Sequence, residues 1–246
     1  MRIFKKGDPV NKEKQKLNKI ISEKSFTYAP FFKKIREHLK PQSKILDAGC
    51  GEGNVSLILA KNHHRVWGID LSKKAIALAE KRAKKLNLEK HATFYIGNLE
   101  KLTINKKFDV IFCIEVLEHV RNDEKVIKNL FSHLKSGGLI LITVPSKSAP
   151  LYKLKSVKKY DTKIGHLRRY CQKELIEKLK KAGFKQITLK KTEGLLRNFL
   201  FFTAIGRLLL KFVNRSILIS KLFEKVDCAF LKIFEGSQIT AFANKK

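Results

Sequence analysis

The stretch Ile45-Leu-Asp47-Ala-Gly49-Cys50-Gly51-Glu-Gly53-Asn-Val55 decides the fold. An apolar strand ends in an acid, alternate glycines make a turn, and a helix follows with Val55, Ile58 and Leu59 on one face. Without a Cβ, the glycines let backbone approach a ligand closely. The turn feeds a helix N-terminus, whose free N–H groups favour anionic or electron-rich atoms. About twenty residues further on, Arg65-Val-Trp-Gly-Ile-Asp70-Leu71 reads as a second strand ending in an acid. Nucleotide-binding α/β folds place there the carboxylate that accepts the ribose hydroxyls.

Spacing within the turn separates two kinds of cofactor. Dinucleotide folds use G-x-G-x-x-G, because a pyrophosphate sits on the helix N-terminus. Asp47 to Gly53 instead reads D-x-G-x-G-x-G, and its two acids suit a cationic, phosphate-free ligand. A nicotinamide-dependent reductase therefore ranks below every other reading. In these residues the sequence resembles the class I S-adenosylmethionine-dependent methyltransferases. The resemblance implies that the loop holding Asp47, Gly49, Cys50, Gly51 and Gly53 binds the methionine part of S-adenosyl-L-methionine. Asp70, followed by Leu71, would bind the ribose. It also implies an α/β fold: a Rossmann-like, seven-stranded, mostly parallel sheet with the last strand antiparallel.

The downstream pattern fits that expectation. A strand at Ala92–Ile96 runs into Gly97-Asn98-Leu99-Glu100, where the family commonly reads adenine; Asn98 offers a side-chain oxygen and Leu99 a backbone N–H. Phe108-Asp-Val-Ile-Phe-Cys-Ile-Glu115 reads as a central strand buried on both faces. Asn122 can cap the next helix, with Asp123 and Glu124 in its positive first turn and Val126, Leu130 and Leu134 inside. Ser136-Gly137-Gly138 closes that helix, and Leu139 to Pro145 is the next strand. Strands alternating with amphipathic helices imply right-handed crossovers.

Composition allows a full core, with 43% apolar residues in 246. Cys50, Cys113, Cys171 and Cys228 form no C-x-x-C pair, and Cys50 and Cys113 read as inert turn and strand residues, as suits a reducing cytoplasm. Met1 to Asn11 is basic without an apolar core, so the expected location is cytoplasmic, with a peripheral position on the inner face of the membrane. The net charge is +31, and 43 of the 53 basic residues are lysine. Solvated faces account for much of that; an anionic membrane surface or nucleic acid would also be attracted. Scattered lysine without an arginine-rich or aromatic-interleaved patch does not favour nucleic acid.

Residues 195–235 interrupt the hairpin expected between Phe184–Lys191 and Gln238–Ala243. Phe199 to Ile205 is nearly all apolar, and Arg207, Lys211 and Arg215 recur every four residues, which puts them on one helix face. The uncharged runs are far shorter than the ~20 residues of a membrane span. An apolar body with a basic stripe suits a helix in the membrane interface, a cap over the pocket, or a dimer interface.

The chemistry falls in Glu115-Val-Leu-Glu118-His119, at the end of the central strand. Glu115, Glu118 and His119 could surround a divalent cation such as Mg²⁺, with Glu115 also beside the cofactor, or His119 alone could be a general base. This E-x-x-E-H pattern resembles two branches of the family. In the polyprenyl-quinone O-methyltransferases the motif is associated with a metal. In the small-RNA 3′-terminal 2′-O-methyltransferases those side chains and a later histidine hold Mg²⁺. His166 is such a histidine, followed by Arg168, Arg169 and Tyr170 as candidates for the acceptor pocket. Cys171 replaces the usual Ser or Thr cap of the next helix, ending in Gly183. His63 and His64 read as surface residues far from the ligand-binding edge.

The expected organisation is a helical segment at 1–43, with Phe26 or Tyr28 closing over the cofactor, a methyltransferase core at 44–194, the insertion at 195–235 and a final strand at 236–246. The expected function is O-methylation of a small, lipid-like or lipid-linked acceptor at a membrane surface. An RNA 2′-O-methyltransferase and a non-catalytic accessory protein are the alternatives. The acceptor and the oligomeric state are not written in the sequence.

Overall fold

The computed structural model describes residues 32, 35, 39–150, 152, 155–234 and 236–246. The expected closing residues Phe26 and Tyr28 lie outside them; Phe32 and Ile35 are helical and buried. From there β1 (Lys44–Ala48), α1 (Asn54–Lys61), β2 (Arg65–Asp70), α2 (Lys73–Lys85), β3 (Ala92–Ile96) and β4 (Phe108–Ile114) follow in strand–helix alternation. Next come α3 (Asp123–His133), β5 (Leu134–Pro145), α4 (Lys155–Ile164), α5 (Gln172–Ala182) and β6 (Gln186–Thr192). Three helices, α6 (Leu195–Phe202), α7 (Ala204–Val213) and α8 (Ile217–Ile233), precede β7 (Gln238–Asn244).

The strands form one seven-stranded sheet in the order β3-β2-β1-β4-β5-β7-β6. Only β7 runs antiparallel to its neighbours, β5 and β6. Strand order reverses between β1 and β4, so the loops after them diverge and leave a crevice at their C-terminal ends. Helices cover both faces of the sheet, which is why β4 is apolar at nearly every position. One face packs Leu46, Ile111, Val126 and Leu130; the other packs Ile45, Leu59, Val110 and Phe112. Truncating a fully buried residue such as Ile111 to alanine would cost about 2–5 kcal/mol.

Local chemistry fixes the helix ends. Asn122 Oδ1 accepts from Lys125 N–H, as its position predicts. Cys171 occupies the cap of α5 without a side-chain hydrogen bond, and Gly183 ends that helix in a left-handed conformation. The structure differs from the sequence reading in four places. Strand β5 begins at Leu134, because Gly137 and Gly138 exchange backbone hydrogen bonds with Lys245 and join the sheet. His64 is buried, 7% exposed, as it enters β2. The apolar run of the insertion breaks at Thr203, whose hydroxyl accepts from Gly206 N–H and starts a new helix. Helix α7 ends at Val213, so Arg215 lies beyond the face that it was expected to share with Lys211, with its guanidinium 5.6 Å from the Phe212 ring.

Candidate active site

The glycine turn is held from below by three sets of hydrogen bonds. Gly49 and Cys50 N–H groups donate to the Ile69 carbonyl, and Gly51 N–H donates to Asp70 Oδ2 at 2.9 Å. Arg82, 2% exposed on α2, donates through Nη1 to the Glu52 carbonyl at 2.8 Å and to Asn54 Oδ1 at 2.7 Å. A Cβ on Gly49 would lie 2.2 Å from Val116 Cγ2, whereas a Cβ on Gly51 would meet nothing within 4 Å. The turn is therefore packed hard against the β4 loop on one side and open on the other. That open cradle, with the Asp70 carboxylate at its rim, is the space a nucleoside cofactor needs.

Individual residues of the cofactor set fall in different roles. The Asp47 carboxylate is buried beneath the turn, where Oδ2 accepts from both the Ser56 N–H and the Ser56 hydroxyl, and burial pushes its pKa up to about 6. It shapes the loop from behind. The Cys50 and Cys113 thiols are buried, and that burial raises both pKa values far above the thiolate range. Leu71 is 72% exposed beside Asp70. Asn98 Oδ1, expected to meet adenine, accepts from Glu100 N–H and caps the short turn at Leu99–Lys101; Leu99 is buried.

Opposite the turn, Glu115 follows β4 with a positive φ of 53°, uncommon for a residue with a side chain. Its Oε1 accepts from Gln238 Nε2 at 3.0 Å and Thr143 Oγ1 at 3.2 Å. Glu118 is fully buried; its carboxyl is hydrogen-bonded to that of Glu115, and no other side chain among the described residues donates to its oxygens. Burial first, then the neighbouring acids Glu193 and Glu115 respectively, raises both carboxyls well above the ordinary Glu range. Facing Glu118, His166 Nε2 lies 3.8 Å from Oε1, and the His119 and His166 rings stand edge to face at 4.8 Å.

The histidine tautomers follow from their other nitrogens. His119 Nδ1 is 3.2 Å from the Gly165 carbonyl, which can only accept, and His166 Nδ1 is 3.1 Å from Asp161 Oδ1. Both Nδ1 atoms therefore carry the proton and both Nε2 lone pairs are free for other work. Burial keeps the His166 pKa below its usual value, which favours the neutral ring. Glu118, His119 and His166 bring their ligand atoms within 4.8 Å of one another. Glu115 was expected among the ligands; it stands behind the cluster, hydrogen-bonded to Glu118 and held by Gln238 and Thr143.

Three residues expected to line the pocket build its frame instead. Arg169 is buried and pairs through two nitrogens with Asp161 at 2.6 and 2.8 Å. The Tyr170 hydroxyl, also buried, donates to Asp123 Oδ2 at 2.8 Å and lies 3.0 Å from the Leu117 carbonyl; Arg168 donates to the Arg121 carbonyl. Asp161, which orients both His166 and Arg169, escaped the sequence reading. It is the only acid between Glu124 and Glu174, a signal in so basic a stretch.

A seven-stranded sheet of this order with an open glycine cradle defines a class I S-adenosylmethionine-dependent methyltransferase. A methyltransferase-domain family profile matches residues 39–194, and the chain belongs to that family. Its core is a methyltransferase domain. Among curated relatives, the ubiquinone biosynthesis O-methyltransferase of Rickettsia akari is 35% identical over 111 residues, 45% of this chain and 43% of that protein. The chain thus matches about half the length of such relatives. Two solved structures share the fold. Phosphoethanolamine N-methyltransferase 2 of Haemonchus contortus aligns with TM-score 0.68 at 18% identity, covering 95% of this chain and 56% of that one. Geranyl diphosphate C-methyltransferase of Streptomyces coelicolor aligns with TM-score 0.64 at 18% identity, covering 98% and 86%.

Proposed function

We propose that this enzyme methylates a hydroxyl oxygen of a small, lipid-like acceptor at a membrane surface, on the cytoplasmic side. The observation that carries the reading is the buried Glu118 carboxyl facing the Nε2 atoms of His119 and His166, across the crevice from the glycine turn. S-adenosylmethionine, when bound, supplies an electrophilic methyl group on a sulfonium. The chain must then align an acceptor oxygen and remove its proton. His119 is the residue exposed enough to meet an acceptor, and its Nε2 lone pair can take that proton. His166, fixed by Asp161, can hold the acceptor hydroxyl. The name of the R. akari relative supports an oxygen acceptor and a quinone-like class.

The same three residues suit a divalent cation. Replacing Glu115 by His166 leaves two imidazoles and one carboxylate, a donor set that favours Mn²⁺ or Zn²⁺ over Mg²⁺. A bound ion would act as a Lewis acid on the acceptor hydroxyl. The 3.8 Å between His166 Nε2 and Glu118 Oε1 exceeds the roughly 3 Å between adjacent ligands of an octahedral ion, so loading would draw these side chains together. The RNA 2′-O-methyltransferase reading retains one supporting observation, the same Glu/His cluster in a chain of net charge +31.

The test is methyl transfer from tritiated S-adenosylmethionine into fractionated lysate, with and without chelator. Label in the organic phase that is lost in His119→Ala is the expected result. Label confined to RNA would overturn the lipid reading, and activity unchanged by both chelator and Glu118→Ala would remove the metal.

A further inference from the structure

The helices inserted before β7 turn an apolar surface outward. On α7, Ile205, Leu208, Leu209 and Phe212 are all exposed, at the spacing that defines one helix face. On α8, Leu218, Leu222, Val226 and Ile233 form a second exposed row, with Leu218 79% and Ile233 76% accessible. The inner side of α8 carries polar anchors. Buried Ser220 donates to the Val213 carbonyl, and buried Asp227 accepts from the Gly194 and Arg197 N–H groups at the start of α6. With Ser220 and Asp227 sharing the inner side with Phe223, α8 leaves its leucines outside, more apolar surface than an ordinary surface helix exposes. Soluble monomers rarely leave so continuous an apolar face uncovered.

Charge decides what covers it. Lys211, Arg215, Lys221 and Lys225 are exposed on the same segments, in a chain of net charge +31. A second copy would bring matching rows of cations together, which is unfavourable. An anionic bilayer offers hydrocarbon to the leucines and phosphate to the lysines. Among the described residues no helix is long and apolar enough to cross a membrane. Helix α8, with 17 residues, is about 26 Å long and fits along a bilayer surface.

We infer that α7 and α8 form an interfacial docking face for an anionic lipid bilayer. This step rests on the lipid-like acceptor proposed above for its purpose: docking brings a membrane-borne acceptor to the site. Asp227 ties α8 to Gly194, beside Glu193, the acid whose charge acts on Glu115, so the docked helices are joined to the acceptor side of the crevice.

The experiment is co-sedimentation of the full chain with vesicles of phosphatidylcholine, alone or with about one-third phosphatidylglycerol. The double variant Leu218→Asp/Leu222→Asp and the single variants Lys221→Gln and Lys225→Gln are compared with wild type. Circular dichroism and S-adenosylhomocysteine binding verify that each is folded. The wild type is expected to bind the anionic vesicles and release them in high salt. Each lysine variant should bind about fivefold more weakly, and the Asp pair at least about tenfold. Wild type that stays in solution overturns the proposal. So does an Asp pair that binds as wild type, or a wild-type dimer that this pair dissociates. Vesicle binding without methylation of organic-phase material would refute the acceptor reading alone; methylation of that material by protein that never binds vesicles would refute the docking face alone.

Discussion

Gly49 and Gly51 are adjacent in the motif, share a left-handed backbone, and should fail in opposite ways when given a methyl group. At Gly49, φ is +77°, which costs an L residue about 1–2 kcal/mol, and the new Cβ would lie 2.2 Å from Val116 Cγ2. Relieving that overlap means moving Val116, which packs the Glu115–His119 loop against the turn, for about 1–3 kcal/mol more. Gly49→Ala should therefore lower unfolding free energy by about 2–5 kcal/mol. Pairing it with Val116→Ala removes the overlap and not the backbone cost. A double-mutant cycle should accordingly show about 1–3 kcal/mol of favourable coupling. At Gly51, φ is +52° with nothing within 4 Å, so Gly51→Ala should cost only the backbone term. Its methyl group, however, enters the open cradle and should weaken S-adenosylhomocysteine binding roughly ten- to hundredfold. Denaturant unfolding and titration calorimetry on the wild type, the two single variants of the cycle, their double and Gly51→Ala read both quantities. Wild-type affinity in Gly51→Ala would refute the placement of the cofactor. An additive Gly49/Val116 cycle would refute the packing argument.

Two further outcomes follow from groups buried beneath the turn. Arg82→Ala removes the donor to the Glu52 carbonyl and Asn54 Oδ1, so S-adenosylhomocysteine binding should weaken by about 1–3 kcal/mol while turnover at saturating cofactor stays near wild type. A matching loss of turnover at saturation, measured by steady-state kinetics, would contradict a loop-positioning role. Burial raises the Asp47 pKa to about 6, so the folded chain holds this proton more tightly than the unfolded chain. Stability from this group is present below the ordinary Asp pKa and is lost as pH rises through about 6, a total of about 3 kcal/mol. Asp47→Asn should abolish that loss; parallel pH profiles of unfolding for the two proteins between pH 4 and 7 would show the assignment to be wrong.

Local pattern was enough for most of the strands, the glycine turn and the caps, because each depends on residues a few positions apart; the start of β5 depends on Lys245 instead. Asn122 and Gly183 could be placed from sequence for that reason. The site itself depends on pairs far apart in the chain. Nothing local says that Arg82 will reach back to Glu52, or that Asp161 will claim both His166 and Arg169. Arg169 and Tyr170 read as pocket residues because cations and phenols near a motif suggest binding; their burial against Asp161 and Asp123 makes them supports. Glu115 left the Glu/His cluster for the same kind of reason, since Gln238 arrives from the final strand to take its oxygen. The insertion shows the limit most directly. Periodicity could find an apolar row and a basic one, but not which faced the sheet. Ser220 and Asp227 decide it: each satisfies backbone groups that would otherwise be stranded at a helix end, and that fixes them inward. With those two residues inside, the geometry of α8 leaves Leu218, Leu222 and Ile233 no position except the outside. The apolar face is thus imposed by the internal anchoring of the helices, and none of the described residues covers it.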